Sequence, residues 1–136
     1  TLGLRFEHLD LERCVMSLPD NPHYRNHVAG PHAGAMWTLA ESASGALVFA
    51  NFGDLMAEVT PFPVESTIRF LKVAFGPVTA VATLGEGAAT AVETMRGGTR
   101  PEFDVEIELS TGEGDERLVT GSMTVTWTLK LNRRPE

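Results

Sequence analysis

From residue 33 to about residue 51, apolar side chains recur at Met36, Leu39, Ala40, Ala43, Leu47 and Ala50, the i, i+3, i+4, i+7 spacing of a helix face. Small Ala, Ser and Gly residues fill most of the other faces. The spacing therefore predicts a helix buried nearly all round, close to a sheet, with Gly53 as its stop. Elsewhere the period is two. Phe103, Val105, Ile107 and Leu109 alternate with Asp104, Glu106 and Glu108, and Met123, Val125, Trp127 and Leu129 with Thr124, Thr126 and Thr128; both patterns predict half-exposed strands. Residues 9–18 alternate less regularly and read as a first strand, ended by the turn chemistry of Pro19-Asp20-Asn21-Pro22. Residues 66–74 and 78–84 are extended runs parted by Gly76-Pro77, and residues 88–95 read as an ambiguous short helix stopped by Gly97-Gly98. Residues 110–116, with Gly112 and Gly114, suit an antiparallel hairpin turn. A long early helix followed by antiparallel strands predicts an α+β domain in which a curved antiparallel sheet wraps the helix.

Bulk properties narrow the partners. A chain of 136 residues fits one domain, and 43% hydrophobic with 21% charged residues is ordinary for a soluble protein. A net charge of −7, with no basic cluster before Arg133-Arg134, argues against nucleic acid and against an anionic membrane surface. Cys14 is the only cysteine, so no disulfide framework or cysteine metal site is expected, and Cys14 itself reads as a small buried hydrophobe. No Cys/His cluster is present, so no metal is expected. The opening TLGLRFEHLD lacks a basic start followed by an apolar run, and the longest apolar region, residues 43–52, falls short of the ~20 residues that span a bilayer. A cytoplasmic protein is the expectation.

Candidate chemistry lies around the helix start. Glu41 is the only formally charged side chain within the helix, and a carboxylate in apolar surroundings costs several kcal/mol unless protonated or hydrogen-bonded. Desolvation would raise its pKa toward the range useful for base catalysis. The competing reading is an ordinary helix carboxylate that reaches solvent. Upstream lie Asn26, Gly30, Pro31, His32 and Gly34, a polar, glycine-bearing turn. The N–H groups that open a helix are unpaired and sit at the positive end of the peptide dipoles. Here they belong to Ala33, Gly34 and their neighbours, and Gly34 lets a ligand approach the backbone closely. Asn26 and His32 can equally be read as residues that satisfy the turn, Arg69 and Lys72 as cations that solvate a strand face, and Trp127 and Phe103 as core.

Asn26 precedes His32 by six residues, and His32 precedes Glu41 by nine. These two spacings resemble those of the hotdog-fold acyl-CoA thioesterase superfamily, in the group with phenylacetyl-CoA-type thioesterases. IRFLKVAFGPVTA, residues 68–80, is similar to a strand pair of those domains, and GSMTVTWTLK to their final strand. The resemblance implies one hotdog domain over residues 1–136 and hydrolysis of an acyl-CoA thioester, or a related thioester, to free acid and thiol. It implies Glu41 as base or nucleophile, Asn26 orienting the water or the acyl carbonyl, and His32 fixing the turn or the thioester. Trp37, Ser44 and Gly45 would shape the acyl pocket, with Arg69 and Lys72 as candidates for the coenzyme A phosphates. No cofactor is implied. The resemblance also implies a homodimer or dimer of dimers with sheets side by side, where Asn26 and His32 face the partner's Glu41.

Two departures stand out. Ala33 replaces the first Gly of the superfamily's His-Gly-Gly turn, and Pro63 or Val64 stands where catalytic members often place a Ser or Thr, with Ser66 and Thr67 nearby. They motivate a second reading, a non-catalytic acyl-CoA-binding hotdog protein. A third, a hydroxyacyl thioester dehydratase, is suggested by the fourteen residues from His27 to Glu41, but the Pro-Gly pair of those enzymes is Ala35-Met36 here.

Overall fold

Ala33–Phe52 forms the long helix α1, as the 3.6-residue period requires. The computed structural model describes residues 2–25 and 30–132; Asn26 and His27 lie outside the described residues. Ala35, Met36, Leu39, Ala40, Ala43, Leu47 and Val48 are buried against the sheet. Burial is one-sided rather than all round: Trp37 and Phe49 are exposed. The period could not show this, because the uncovered face is also apolar. Gly53 caps α1 in right-handed conformation, so the chain runs on into a 3-10 turn, Gly53–Leu55, rather than reversing at a left-handed glycine.

The strands are β1 (Arg5–Leu9), β2 (Arg13–Leu18), β3 (Val59–Phe70), β4 (Val78–Leu84), β5 (Glu102–Thr111) and β6 (Leu118–Leu131). They form one curved sheet in the order β1-β2-β4-β5-β6-β3, every neighbour antiparallel. Between β4 and β5 a short helix, α2 (Ala91–Arg96), ends at Gly97.

Two boundaries differ from the sequence reading. The expected strand over residues 9–18 is the end of one strand and the whole of the next. Asp10 folds the chain between them by accepting the N–H groups of Glu12 and Arg13, each at 2.8 Å. A hydrogen bond from His8 at 2.7 Å, with those two amides, holds the Asp10 carboxyl at about 2. Every residue of β1 is exposed, so it carries no alternation to detect. The strand expected over residues 66–74 instead starts at Val59 and ends at Phe70. Pro61 and Pro63 fit within β3 because it is the sheet edge, where a residue without an N–H is tolerated. A bulge between Pro63 and Glu65 resets the pairing with β6.

Small residues set the helix–sheet distance. Ala80 and Ala82 of β4 and Cys14 of β2 are fully buried beneath α1, and burial pushes the Cys14 thiol up from its ordinary pKa. Val105, Ile107 and Leu109 of β5 and Met123, Val125 and Leu129 of β6 complete that layer. The other face of the sheet is polar: Thr124 donates to Glu106 and Thr126 to Asp104 across β5 and β6. Among the described residues no helix is long and apolar enough to cross a membrane.

Candidate active site

His32 makes the start of α1 by capping it. Its backbone is extended, and its Nδ1 accepts the N–H of Ala35 at 3.0 Å. An Nδ1 that accepts leaves the ring proton of the neutral imidazole on Nε2. The N–H groups of Ala35 and Met36 also reach the His32 carbonyl. Those of Ala33 and Gly34, the first two of the helix, keep no partner among the described residues and carry the positive end of the helix dipole. The imidazole packs over Gly34, where a Cβ would come within 3.3 Å of Nδ1. Gly30 passes so close to the Ala74 carbonyl that a Cβ would collide with it. That contact presses the turn before α1 onto the segment that follows β3.

Ala33 lines an apolar cleft of about 340 Å³. Pro31, Ala33 and Met36 form one wall and residues 70–74, including Lys72, the other. Phe70, Leu71 and Val73 of this wall, and Phe75 just after it, are 48–61% exposed, an unusual run of uncovered apolar surface on a small domain.

Glu41 lies two turns further along α1. Its carboxylate makes no hydrogen bond or ion pair with the described residues, and desolvation by burial raises its pKa. Oε1 is 3.9 Å from the point a Cβ on Gly45 would occupy, and the same point is 3.7 and 3.8 Å from Cη2 and Cζ2 of Trp127. The Glu41 carboxylate and the Trp127 indole edge are thus both within van der Waals range of one point beside Gly45. The Trp127 N–H is buried without a partner among the described residues.

The remaining predicted residues fall in different places. Trp37 donates its indole N–H to the Ser66 hydroxyl at 3.1 Å, so it bridges α1 to β3 at the open helix face. Ser44 is fully buried and donates to the Glu41 carbonyl, a helix-internal bond away from any cleft. Arg69 is opposite Ser122, one residue from half-buried Ile68, which pairs with buried Met123, and alternation turns it to the face of the sheet away from α1. Ala33 and Lys72 share the cleft; Arg69 does not join them. Asn26 lies outside the described residues, as does His27. The sequence reading took Trp127 for core. Its burial agrees, but a buried indole that cannot place its N–H is unusual, and only the position of Gly45 reveals that it borders Glu41.

Within one chain, eight residues of helix separate Ala33 from Glu41, about 12 Å along the axis at 1.5 Å per residue. A carbonyl held by the Ala33 amide is therefore out of reach of the same chain's Glu41.

The chain belongs to the family described as a domain of unknown function, DUF4442, whose model matches residues 1–129. Its fold is the hotdog fold of thioesterase-family proteins. It is similar to a Pseudomonas aeruginosa protein of unknown function described as a probable thioesterase, at 26% identity and a TM-score of 0.82, over 96% of this chain and 85% of that one. A thioesterase family protein from Silicibacter pomeroyi superposes with a TM-score of 0.75 at 19% identity, over 96% and 87%. The phenylacetic acid degradation protein PaaI from Thermus thermophilus, in a mutant form, gives 0.70 at 16% identity, over 93% of each chain. No curated protein sequence matches this chain.

Proposed function

We propose that this member of the DUF4442 family hydrolyses an acyl-CoA thioester to the free acid and CoA. The observation that carries the reading is the pair of unpaired amides of Ala33 and Gly34 at the start of α1, where Ala33 lines an apolar cleft beside residues 70–74. The thioester oxygen would accept from those amides as negative charge develops on it, and the acyl chain would cover Phe70, Leu71 and Val73. Glu41 is the general base on water or the attacking group itself; its raised pKa supports proton transfer near neutrality. Collapse of the tetrahedral species breaks the C–S bond, and the thiolate takes up the proton.

The 12 Å between amides and acid supports a site shared by two copies of the chain, in which the helix start of one faces Glu41 of the other. The exposed stripe of α1 and the open edge of β3 supply surface for such a homodimer. Asn26 would orient the carbonyl or the water from the loop before His32. Because the cleft is apolar, kcat/KM is expected to rise by up to about fourfold per added methylene until the cleft fills. The deciding experiment is free-thiol release from a series of acyl-CoAs by the wild type and Glu41→Gln. The variant should lose about a hundredfold or more in kcat. Full turnover by Glu41→Gln would remove Glu41 from the mechanism.

A second reading, acyl-CoA binding without turnover, is favoured by one observation: the Pro63–Val64 segment beside Trp127 carries no side-chain hydroxyl, and Ser66 is engaged by Trp37. Thermal stabilisation by acyl-CoA with no thiol release would select it.

A further inference from the structure

We propose that Met36 closes the inner end of the cleft and thereby limits this protein to medium-chain acyl groups, its thioether being the stop against which the far end of the chain rests. This inference rests on the hydrolase reading, which places the acyl chain in that cleft, and it adds the residue that sets how long the chain can be.

Burial divides the cleft into a mouth and a floor. Phe70, Leu71 and Val73 are 48–53% exposed, and Ala33 and Lys72 are exposed as well. Met36 is only 8% exposed, Ala74 2%, and Pro31 is buried. Of these three floor residues, Met36 alone has a side chain long and flexible enough to set a depth. Pro31 is a ring closed on its own nitrogen, and the Ala74 carbonyl packs against Gly30 with no room for a Cβ, which fixes that wall. Met36 follows Ala33 by three residues on the same face of α1, and helical side chains lean back toward the N-terminus. A chain that enters beside Ala33 therefore runs toward the Met36 thioether. Past it stand Ala35, Leu39 and Ala40, all fully buried, so what lies beyond Met36 is packed core.

The size of the cleft gives the length. An apolar cavity of about 150 Å³ takes up a benzene ring, so by proportion about 340 Å³ holds at most about a dozen carbons. The side chains of Pro31, Met36 and Ala74 offer no hydrogen-bond donor, so a polar chain end would be desolvated there without a partner, and the end that meets Met36 is apolar. Truncation of Met36 to alanine removes Cγ, Sδ and Cε from the floor. The space they leave is continuous with the cleft, because Met36 lines it, and a longer chain can fill it.

The test is a ladder of straight-chain acyl-CoAs from acetyl to stearoyl, read as kcat/KM for thiol release and, in parallel, as the rise in Tm on adding each acyl-CoA. For the wild type kcat/KM should climb by up to about fourfold per methylene and break at about 8–12 carbons. Met36→Ala should move the break about two to four carbons longer. Met36→Phe, which fills the floor, should move it shorter by a similar step, and it carries the test if Met36→Ala folds poorly. The position of the break is the readout, since a residue that only supports the fold lowers the rate at every length alike. A break left in place by the folded variants overturns the inference while the hydrolase reading stands, and so does a wild type that accepts the longest chains without a break. Absence of thiol release by the wild type overturns the hydrolase reading; the Tm ladder then decides by the same shift, or its absence, whether Met36 sets the length of the chain bound.

Discussion

The indole N–H of Trp37 donates to the Ser66 hydroxyl across 3.1 Å and ties the second turn of α1 to the edge strand β3. Ser66 reaches the helix because the bulge after Pro63 resets the alternation. Beyond it, Ser66 and Ile68 face α1 while Glu65, Thr67 and Arg69 face away. In the sequence Ser66 lies near, but not at, the position where catalytic members often carry a Ser or Thr; the structure gives it a bridging partner.

Ser66→Ala is therefore expected to act on stability. Loss of one half-exposed hydrogen bond should cost about 0.5–1.5 kcal/mol, read as a lower urea midpoint at unchanged slope. The effect on kcat should fall well short of the hundredfold expected for loss of a general base. A hundredfold drop in kcat at an unchanged midpoint would place Ser66 in the reaction instead.

Lys72 and Arg69 make a second contrast. Lys72 lines the cleft beside Ala33, whereas Arg69 projects from the opposite face of the sheet. An exposed cation meeting a phosphate is worth about 0.2–1 kcal/mol, so Lys72→Ala should raise KM for an acyl-CoA by up to about fivefold. The effect should shrink in high salt, and it should vanish when the same acyl group is carried by a short thiol without phosphates. Arg69→Ala should leave KM unchanged. Equal effects of the two substitutions would show that the phosphates pass along the outer face.

Where side chains alternate or recur on a helix face, the sequence was readable. α1, β4, β5 and β6 lie where their periods place them, because each has one face in the core. β1 was invisible because it buries neither face, and the first half of β3 was hidden by Pro61 and Pro63, residues that only an edge strand accepts. The candidate site was legible where chemistry is local: His32, Ala33 and Gly34 are consecutive, and a lone Glu41 in an apolar helix needs no partner to be noticed. What depends on neighbours in space was not. The face that Arg69 takes is decided by a bulge five residues earlier. The nearness of Trp127 to Glu41 is decided by a glycine, whose lack of a side chain leaves no mark in a hydrophobic pattern.

A site divided between two chains has a distinctive genetic signature. Proline suits the first position of a helix, and His32, with ψ of 158°, already has the extended backbone that a following proline demands. Ala33→Pro should thus fold normally while removing one amide donor, with a loss of about 10²–10³ in kcat. Glu41→Gln should be similarly slow. Mixed and allowed to exchange subunits, the two should recover about a quarter of wild-type activity, because half the dimers then carry one intact site. No recovery, with exchange demonstrated by mass, would mean that each chain supplies its own amides and its own acid.

A buried charge on Glu41 should cost stability, in a direction fixed by its surroundings. Burial raises its pKa above the ordinary value of 4.5, so over some pH range the folded chain keeps a proton there that the unfolded chain has released. Below that ordinary value both states are protonated and the site contributes nothing. As pH rises from there through the raised value, the unfolded state binds fewer protons than the folded one and stability falls; beyond it the loss is complete. Glutamine carries no such charge. Thermal unfolding across pH should then show Glu41→Gln level with the wild type at the acid end and increasingly the more stable toward neutrality, before the difference flattens. A wild type that is the more stable at pH 8 would mean that a cation or donor from a second copy pairs with the carboxylate, and the desolvated base would give way to an ion pair.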